Sequence, residues 1–193
     1  MRSDNLYALP DNIPVPTDDG AADHLPGAAV PPTVLLSTKG RRVSLAEASR
    51  RSRVVVYCYP RTGKPDQDPP PGWDDVPGAR GCTPQSCGFR DRHDEYMALG
   101  AEVFGLSVQG TDYQREMAQR IHLPFEVLSD VDYELTRTMR LPTFVIHGHT
   151  LLKRTTLVLH QGSVEKMFYP VFPPDRNAAE VLAWLRANPA QST

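Results

Sequence analysis

The sequence has no apolar run near the ~18 residues that a transmembrane helix requires, so no membrane span is expected. It carries little net charge, formally -2 at neutral pH, which argues against a general nucleic-acid or membrane-surface binder. Cysteine is scarce: three residues, an odd number, cannot make the framework of a disulfide scaffold. The opening residues MRSDNLYALPDNIP lack a secretory hydrophobic segment, and a cytoplasmic location is the expectation. No internal repeat is visible. What is present is 193 residues, 40% hydrophobic and 23% charged, enough for one globular domain with a real core.

Proline is the excess. There are 19, roughly twice the usual ~5% share. Six fall between Pro10 and Pro32 and six more between Pro60 and Pro77, so the enrichment is local and not a sign of global disorder. Residues 1–30 read as a proline-rich arm, either extended along the domain or a neighbouring subunit, or frayed. Residues 31–193 read as the domain.

Within that domain, Val34–Leu36 and Arg41–Leu45 flank the polar turn Ser37-Thr38-Lys39-Gly40, a short hairpin signal. Ser44, with Glu47 three residues on, caps a helix from Leu45 to Arg51. Val54–Tyr59 is a continuous apolar, β-branched and aromatic run, expected to be a buried central strand ended by Pro60. Arg61 to Gly81, RTGKPDQDPPPGWDDVPGARG, cannot be regular structure. A loop of this length in a compact domain is usually functional or disordered. A helix follows, with Thr83 as N-cap and Pro84 at its first position, running to Gly100. Further expectations are a strand at 102–107, a helix at 111–121, a strand at 125–130 and a helix at 133–139. A hairpin at 155–169 turns around Gln161-Gly162-Ser163, and a last helix is capped by Asn177. Strands alternating with helices predict an α/β layer fold with a mixed sheet.

The chemistry concentrates in GCTPQSCGFRD. Cys58, inside the apolar strand, reads as a small core hydrophobe. Cys82 lies at a helix start, where free backbone N–H groups and the macrodipole favour an anion such as a thiolate. Arg80 and Arg90 add positive charge nearby, and Cys87 is five residues away. Positions five apart on a helix sit roughly 8–9 Å apart at Cα and about 140° around the axis. A disulfide needs Cα atoms within about 7 Å. Cys82 and Cys87 therefore cannot bridge while the helix is intact, which suits a cycling pair better than a structural bond. Two ordinary helix thiols are the plainer alternative. A metal site built on Cys82, Cys87 and His93 has the wrong spacing and lacks a fourth ligand. His147-Gly148-His149 reads as a polar turn before it reads as a metal site. Trp73 in the long loop reads as a lid, a partner contact or an anchor on the domain.

GCTPQSCGFRD resembles the active-site helix of peroxiredoxins of the bacterioferritin-comigratory, or PrxQ, type, whose pattern is Gly-Cys-Thr-x-x-Ala-Cys-x-[hydrophobic]-Arg-Asp. VFGLSVQGTDYQREMAQRIHLPFEVLSD is similar to the following segments of that family, and the resemblance runs from about Val34 to Leu185. It implies a thioredoxin-like fold, a thiol peroxidase activity on hydrogen peroxide or organic hydroperoxides, and no cofactor. It implies that Cys82 is peroxidatic and forms a sulfenic acid, that Cys87 resolves it as a disulfide, and that Arg154 stabilises thiolate and peroxide. It implies thioredoxin or a similar dithiol as reductant, in a monomer or homodimer. The family carries Pro-x-x-x-Thr-x-x-Cys, but the threonine position is Ala79 here. The matching proline is then Pro60, and residues 61–80 resemble an insertion in the active-site loop. Thr62, Thr83 or water can supply the missing hydroxyl, or peroxidase activity is weak. Pro77, nearer the cysteine, can shape the pocket instead. The competing functions are a redox sensor or thiol-disulfide oxidoreductase that is poor with peroxide, and a non-enzymatic binding module, which needs neither cysteine.

Overall fold

A computed structural model describes residues 5–190. The strands and helices follow the periodicity of the sequence closely. Strands β1 (Val34–Ser37) and β2 (Arg42–Ser44) form the first hairpin. Helix α1 (Leu45–Arg51) begins at Ser44, whose hydroxyl accepts the Glu47 N–H. Strand β3 (Arg53–Cys58) is buried along its whole length. Then come α2 (Cys82–Asp91), α3 (His93–Ala98), β4 (Ala101–Ser107), α4 (Thr111–Arg120), β5 (Glu126–Ser129) and α5 (Glu134–Met139). Strands β6 (Thr143–Ile146), β7 (His149–Leu152), β8 (Thr155–His160) and β9 (Ser163–Phe168) precede the last helix, α6 (Asn177–Ala187).

Seven strands form one mixed sheet in the order β2-β1-β5-β4-β3-β8-β9. The three central strands β3, β4 and β5 run parallel, and the others pair antiparallel. Strand β3 shows why its apolar run is continuous: Val54, Val56 and Cys58 enter one core, Val55, Tyr57 and Tyr59 the other. A strand covered on both faces has no polar side to show. Helix α1 packs on the first face; α2, α3, α4 and α6 contribute Phe89, Tyr96, Met117, Val181 and Leu185 to the second. Gly105 on β4 makes room for the Tyr57 ring, since a Cβ there would lie 2.9 Å from Tyr57 Cζ and Oη. Tyr57 in turn stacks on Phe89 at 4.5 Å and bonds Ser86 in α2 at 3.0 Å. The sheet thereby fixes the helix that carries both candidate cysteines.

Some local features differ from expectation, among them a 3₁₀ turn at Trp73–Asp75 inside the long loop. The helix foreseen from Thr83 to Gly100 is two helices, broken at Arg92, whose φ of -112 and ψ of 10 leave the helical region. Its N-cap is Gly81, at φ 98, and Thr83 lies inside the first turn. Only glycine takes that backbone without strain, and a Cβ would come 2.4 Å from Pro174 Cγ and 2.6 Å from Leu9 Cδ2. Pro84 is tolerated because first-turn N–H groups have no helical partner. Gly81→Ala is expected to cost about 1–3 kcal/mol from the backbone conformation alone, read as a fall of several degrees in melting temperature; an unchanged midpoint would contradict the assigned cap. Finally, β6 and β7 form a separate two-stranded hairpin whose turn residues His147 and Gly148 have φ 48 and 76. Positive φ at both turn positions is the signature of a tight hairpin turn.

The arm is docked on the domain along residues 5–30. Ala22 and Leu25 are fully buried. The N–H groups of Gly27 and Val30 donate to the carbonyls of Val164 and Gly162, both at 2.8 Å, covering the outer edge of β9. Asp19 is paired with Lys153 and accepts the Tyr169 hydroxyl at 2.6 Å, contacts that hold its carboxyl well below the usual range. The compositional boundary near residue 30 is therefore not a packing boundary.

Candidate active site

Cys82 is the first residue of α2 and is 4% exposed. Arg154, 3% exposed, lies in the short break between β7 and β8, beside the central strand. Its Nη2 stands 3.3 Å from Cys82 Sγ. The same nitrogen is within hydrogen-bond reach of the carbonyls of Gly78 (3.2 Å), Ala79 (3.3 Å) and Arg80 (2.9 Å). Nη1 donates to Gln85 Oε1. Gln85 Nε2 donates to Asn177 Oδ1 at 3.0 Å, which also accepts the Thr156 hydroxyl at 2.7 Å. This chain of buried polar groups fixes the guanidinium plane, while Nε, buried and without a partner among the described residues, keeps one donor unspent. A buried cation held by carbonyls beside a sulfur at a helix start is built to stabilise charge that develops on an oxygen reacting at that sulfur.

Gln85 and Asn177 were not singled out by sequence as site residues. Gln85 lies between the two cysteines, but a glutamine on a helix gives no hint of an arginine 69 residues away. Asn177 was read as a cap; it is instead the first residue of α6, with its side chain turned into the network.

All three cysteines are free thiols, and α2 is continuous through Cys82 and Cys87. Cys87 is partly buried, and desolvation pushes its thiol up; Arg90 and Arg120 oppose this, Asp91 adds to it. Cys58 is pushed up to about 12 by complete burial, with Asp130 adding to it, as a core residue would be. The raised Cys87 thiol is expected to stay protonated through neutral pH. Its alkylation in the reduced protein should climb only above the ordinary thiol range near ~8.5. Half-maximal labelling below that range, in a pH-resolved iodoacetamide series, would contradict the burial effect.

The hydroxyl candidates separate. Thr83 lines the small cavity that opens onto Cys82, as does Ala79. Thr62 is 1% exposed and turned to Gln109, whose Oε1 accepts its N–H at 2.9 Å and its hydroxyl at 3.3 Å. Pro60 is buried at the end of β3; neither it nor Thr62 lines that cavity. Among the described residues, Cys82 Sγ is hydrogen-bonded to Arg154 and, at 3.7 Å, to the Ala79 carbonyl, and to nothing else. Pro77 lines a different depression, on the far side of Arg154. Trp73, 5% exposed, packs on Phe144 with the Arg61 guanidinium 6.0 Å from its ring, and so anchors the 61–80 loop. His147 bonds the Pro71 carbonyl at 2.7 Å. Among the described residues, no group of three or more His, Cys, Asp or Glu could hold a metal ion, and no helix is long and apolar enough to cross a membrane.

Comparison with known proteins points the same way as the geometry. A family model described as Redoxin matches residues 25–182. The chain is 32% identical over 162 residues to the chloroplastic peroxiredoxin Q of Sedum lineare, covering 83% of this chain and 77% of that protein. It is 30% identical over 188 residues to the peroxiredoxin Q of Gentiana triflora, covering 94% and 78%. Among solved structures, the peroxidoxin BcpB from Mycobacterium tuberculosis superposes with a TM-score of 0.71 at 25% identity, over 86% of this chain and all of that one. With the mixed sheet, the cysteine at the helix start and the arginine against it already in place, the chain belongs to the redoxin family, on its peroxiredoxin Q branch.

Proposed function

We propose that the protein is a thiol-dependent peroxidase. The observation that carries this reading is the 3.3 Å approach of Arg154 Nη2 to Cys82 Sγ at the start of α2. The Cys82 thiolate attacks one oxygen of the peroxide; the O–O bond breaks, sulfur is oxidised to sulfenic acid, and the other oxygen leaves as water or alcohol after taking a proton. Charge builds on the leaving oxygen, and a preorganised cation in a dry site stabilises it more than water would. Unwinding of α2 exposes Cys87 and removes the burial that keeps it protonated; its sulfur then attacks the sulfenic sulfur, the S–O bond breaks, and the hydroxyl takes up the proton Cys87 gives up and leaves as water, forming a Cys82–Cys87 disulfide. Helix geometry requires the first turns of α2 to unwind for this step. A dithiol such as thioredoxin returns both cysteines to thiols and is itself oxidised.

Peroxide consumption coupled to thioredoxin and thioredoxin reductase tests the reading. Turnover that saturates with peroxide and stops without thioredoxin is the expected result. A wild-type rate no faster than that of Cys82→Ser would overturn it. A second reading, a redox sensor slow with peroxide, is favoured by one observation: among the described residues no hydroxyl bonds Cys82 Sγ. It predicts the same disulfide but a poor kcat/KM for every peroxide tried.

A further inference from the structure

The two proline-rich zones, far apart in sequence, meet over Cys82. The cavity against the sulfur is walled by Asn5, Leu6 and Ala8 of the arm on one side and by Pro69, Pro70 and Trp73 of the long loop on the other. Its volume is about 40 Å³. A water-sized molecule needs roughly 10–15 Å³ by the same measure, so about three oxygen-sized groups fit. Hydrogen peroxide fits whole; the aryl or long alkyl group of a larger hydroperoxide does not, and would have to lie at the cavity mouth, between the arm and the long loop. The depressions on either side, which lack Cys82, have about 310 Å³ each. The restriction is therefore particular to the sulfur and is not a general tightness of this face.

The arm's hold on that position is light. Among the described residues, the only backbone–backbone hydrogen bond made by residues 5–10 is internal, Ala8 to Asn5 at 3.3 Å. Two side chains seat it, and neither lines the cavity. Tyr7 accepts a hydrogen bond from Arg120 Nη1 at 3.2 Å, with the guanidinium 5.7 Å from its ring. Leu9 lies directly over Gly81, where the absent Cβ leaves space for its methyl group. Arg120 also donates to the Gly63 carbonyl at 3.2 Å, so one guanidinium ties the arm to the start of the long loop. Residues 22–30 are fixed independently by the core and by β9.

We propose that residues 5–10, together with Pro69, Pro70 and Trp73, form a size filter over Cys82 that admits peroxides no larger than hydrogen peroxide. The filter rests on the peroxidase reading for its purpose but not for its existence. The test uses the full chain and the double variant Tyr7→Ala/Leu9→Ala, which unseats the arm without altering a cavity residue. Wild type should prefer hydrogen peroxide over cumene hydroperoxide by about 100-fold or more in kcat/KM, and the variant should raise the cumene value at least about tenfold while hydrogen peroxide changes by less than about threefold. A second readout needs no turnover: peptide-resolved alkylation of Cys82 by iodoacetamide and by a bulky aryl maleimide. The variant should accelerate only the maleimide. Equal wild-type use of both peroxides, or an unchanged maleimide-to-iodoacetamide ratio in the variant, would overturn the filter. Wild-type inactivity with both peroxides would overturn the peroxidase reading instead, and the alkylation ratio would still decide the filter.

Discussion

Cys82→Ser is expected to lower kcat/KM for hydrogen peroxide by at least about 10³-fold, because the step that breaks the O–O bond needs a sulfur nucleophile and no other group can supply one. Cys58 cannot substitute: it is buried in the opposite core, with its thiol pushed up to about 12. Cys87 is held back by desolvation and is not beside Arg154. Serine is nearly isosteric, and among the described residues Cys82 Sγ makes two hydrogen bonds, so the melting midpoint should move little. Retained turnover in the serine variant would mean that the chemistry lies at another residue.

The second large effect belongs to Arg154. Arg154→Gln should cost about 10²–10³-fold in the rate of Cys82 oxidation, the range seen when one charge-stabilising donor is removed from a preorganised site. Arg154→Lys should recover part of this, since it restores the charge, but an ammonium cannot span Gln85, the three carbonyls of residues 78–80 and the sulfur in one plane. The order wild type, Lys, Gln in stopped-flow oxidation is the expected outcome. Rates within threefold of wild type for both variants would remove Arg154 from the mechanism. Both substitutions also leave buried acceptors short of a partner, at about 1–3 kcal/mol for each orphaned group, so a fall in melting temperature accompanies the loss of rate.

The parts of this site that depend on local sequence were readable in advance. β3 announced itself by an apolar run with no polar face, α1 by its Ser44 cap, and the start of α2, within two residues, by Thr83 and Pro84. The parts that depend on distant residues were not. Nothing near Asn177 indicates that its side chain holds Gln85, because the contact spans 92 residues and uses an ordinary amide. The two proline zones were seen as separate excesses of one residue type; that both end over the same sulfur is a matter of tertiary packing. The cap was misassigned for a simple reason. Threonine is the better cap by propensity, but the chain enters α2 with positive φ under Leu9 and Pro174, and there only glycine fits. The β6–β7 hairpin was within reach: two residues, His147 and Gly148, separate the β-branched and aromatic run Thr143–Ile146 from His149–Leu152, with its apolar Leu151 and Leu152, a spacing that signals a tight turn.

The disulfide cycle is most directly tested by intact mass and peptide mapping after one equivalent of hydrogen peroxide on the fully reduced protein. Wild type should lose two hydrogens and yield a Cys82–Cys87 linked peptide, and Cys87→Ser should gain one oxygen at Cys82 instead. A bridge that includes Cys58, or a wild-type protein that gains oxygen and forms no bridge, would contradict the account.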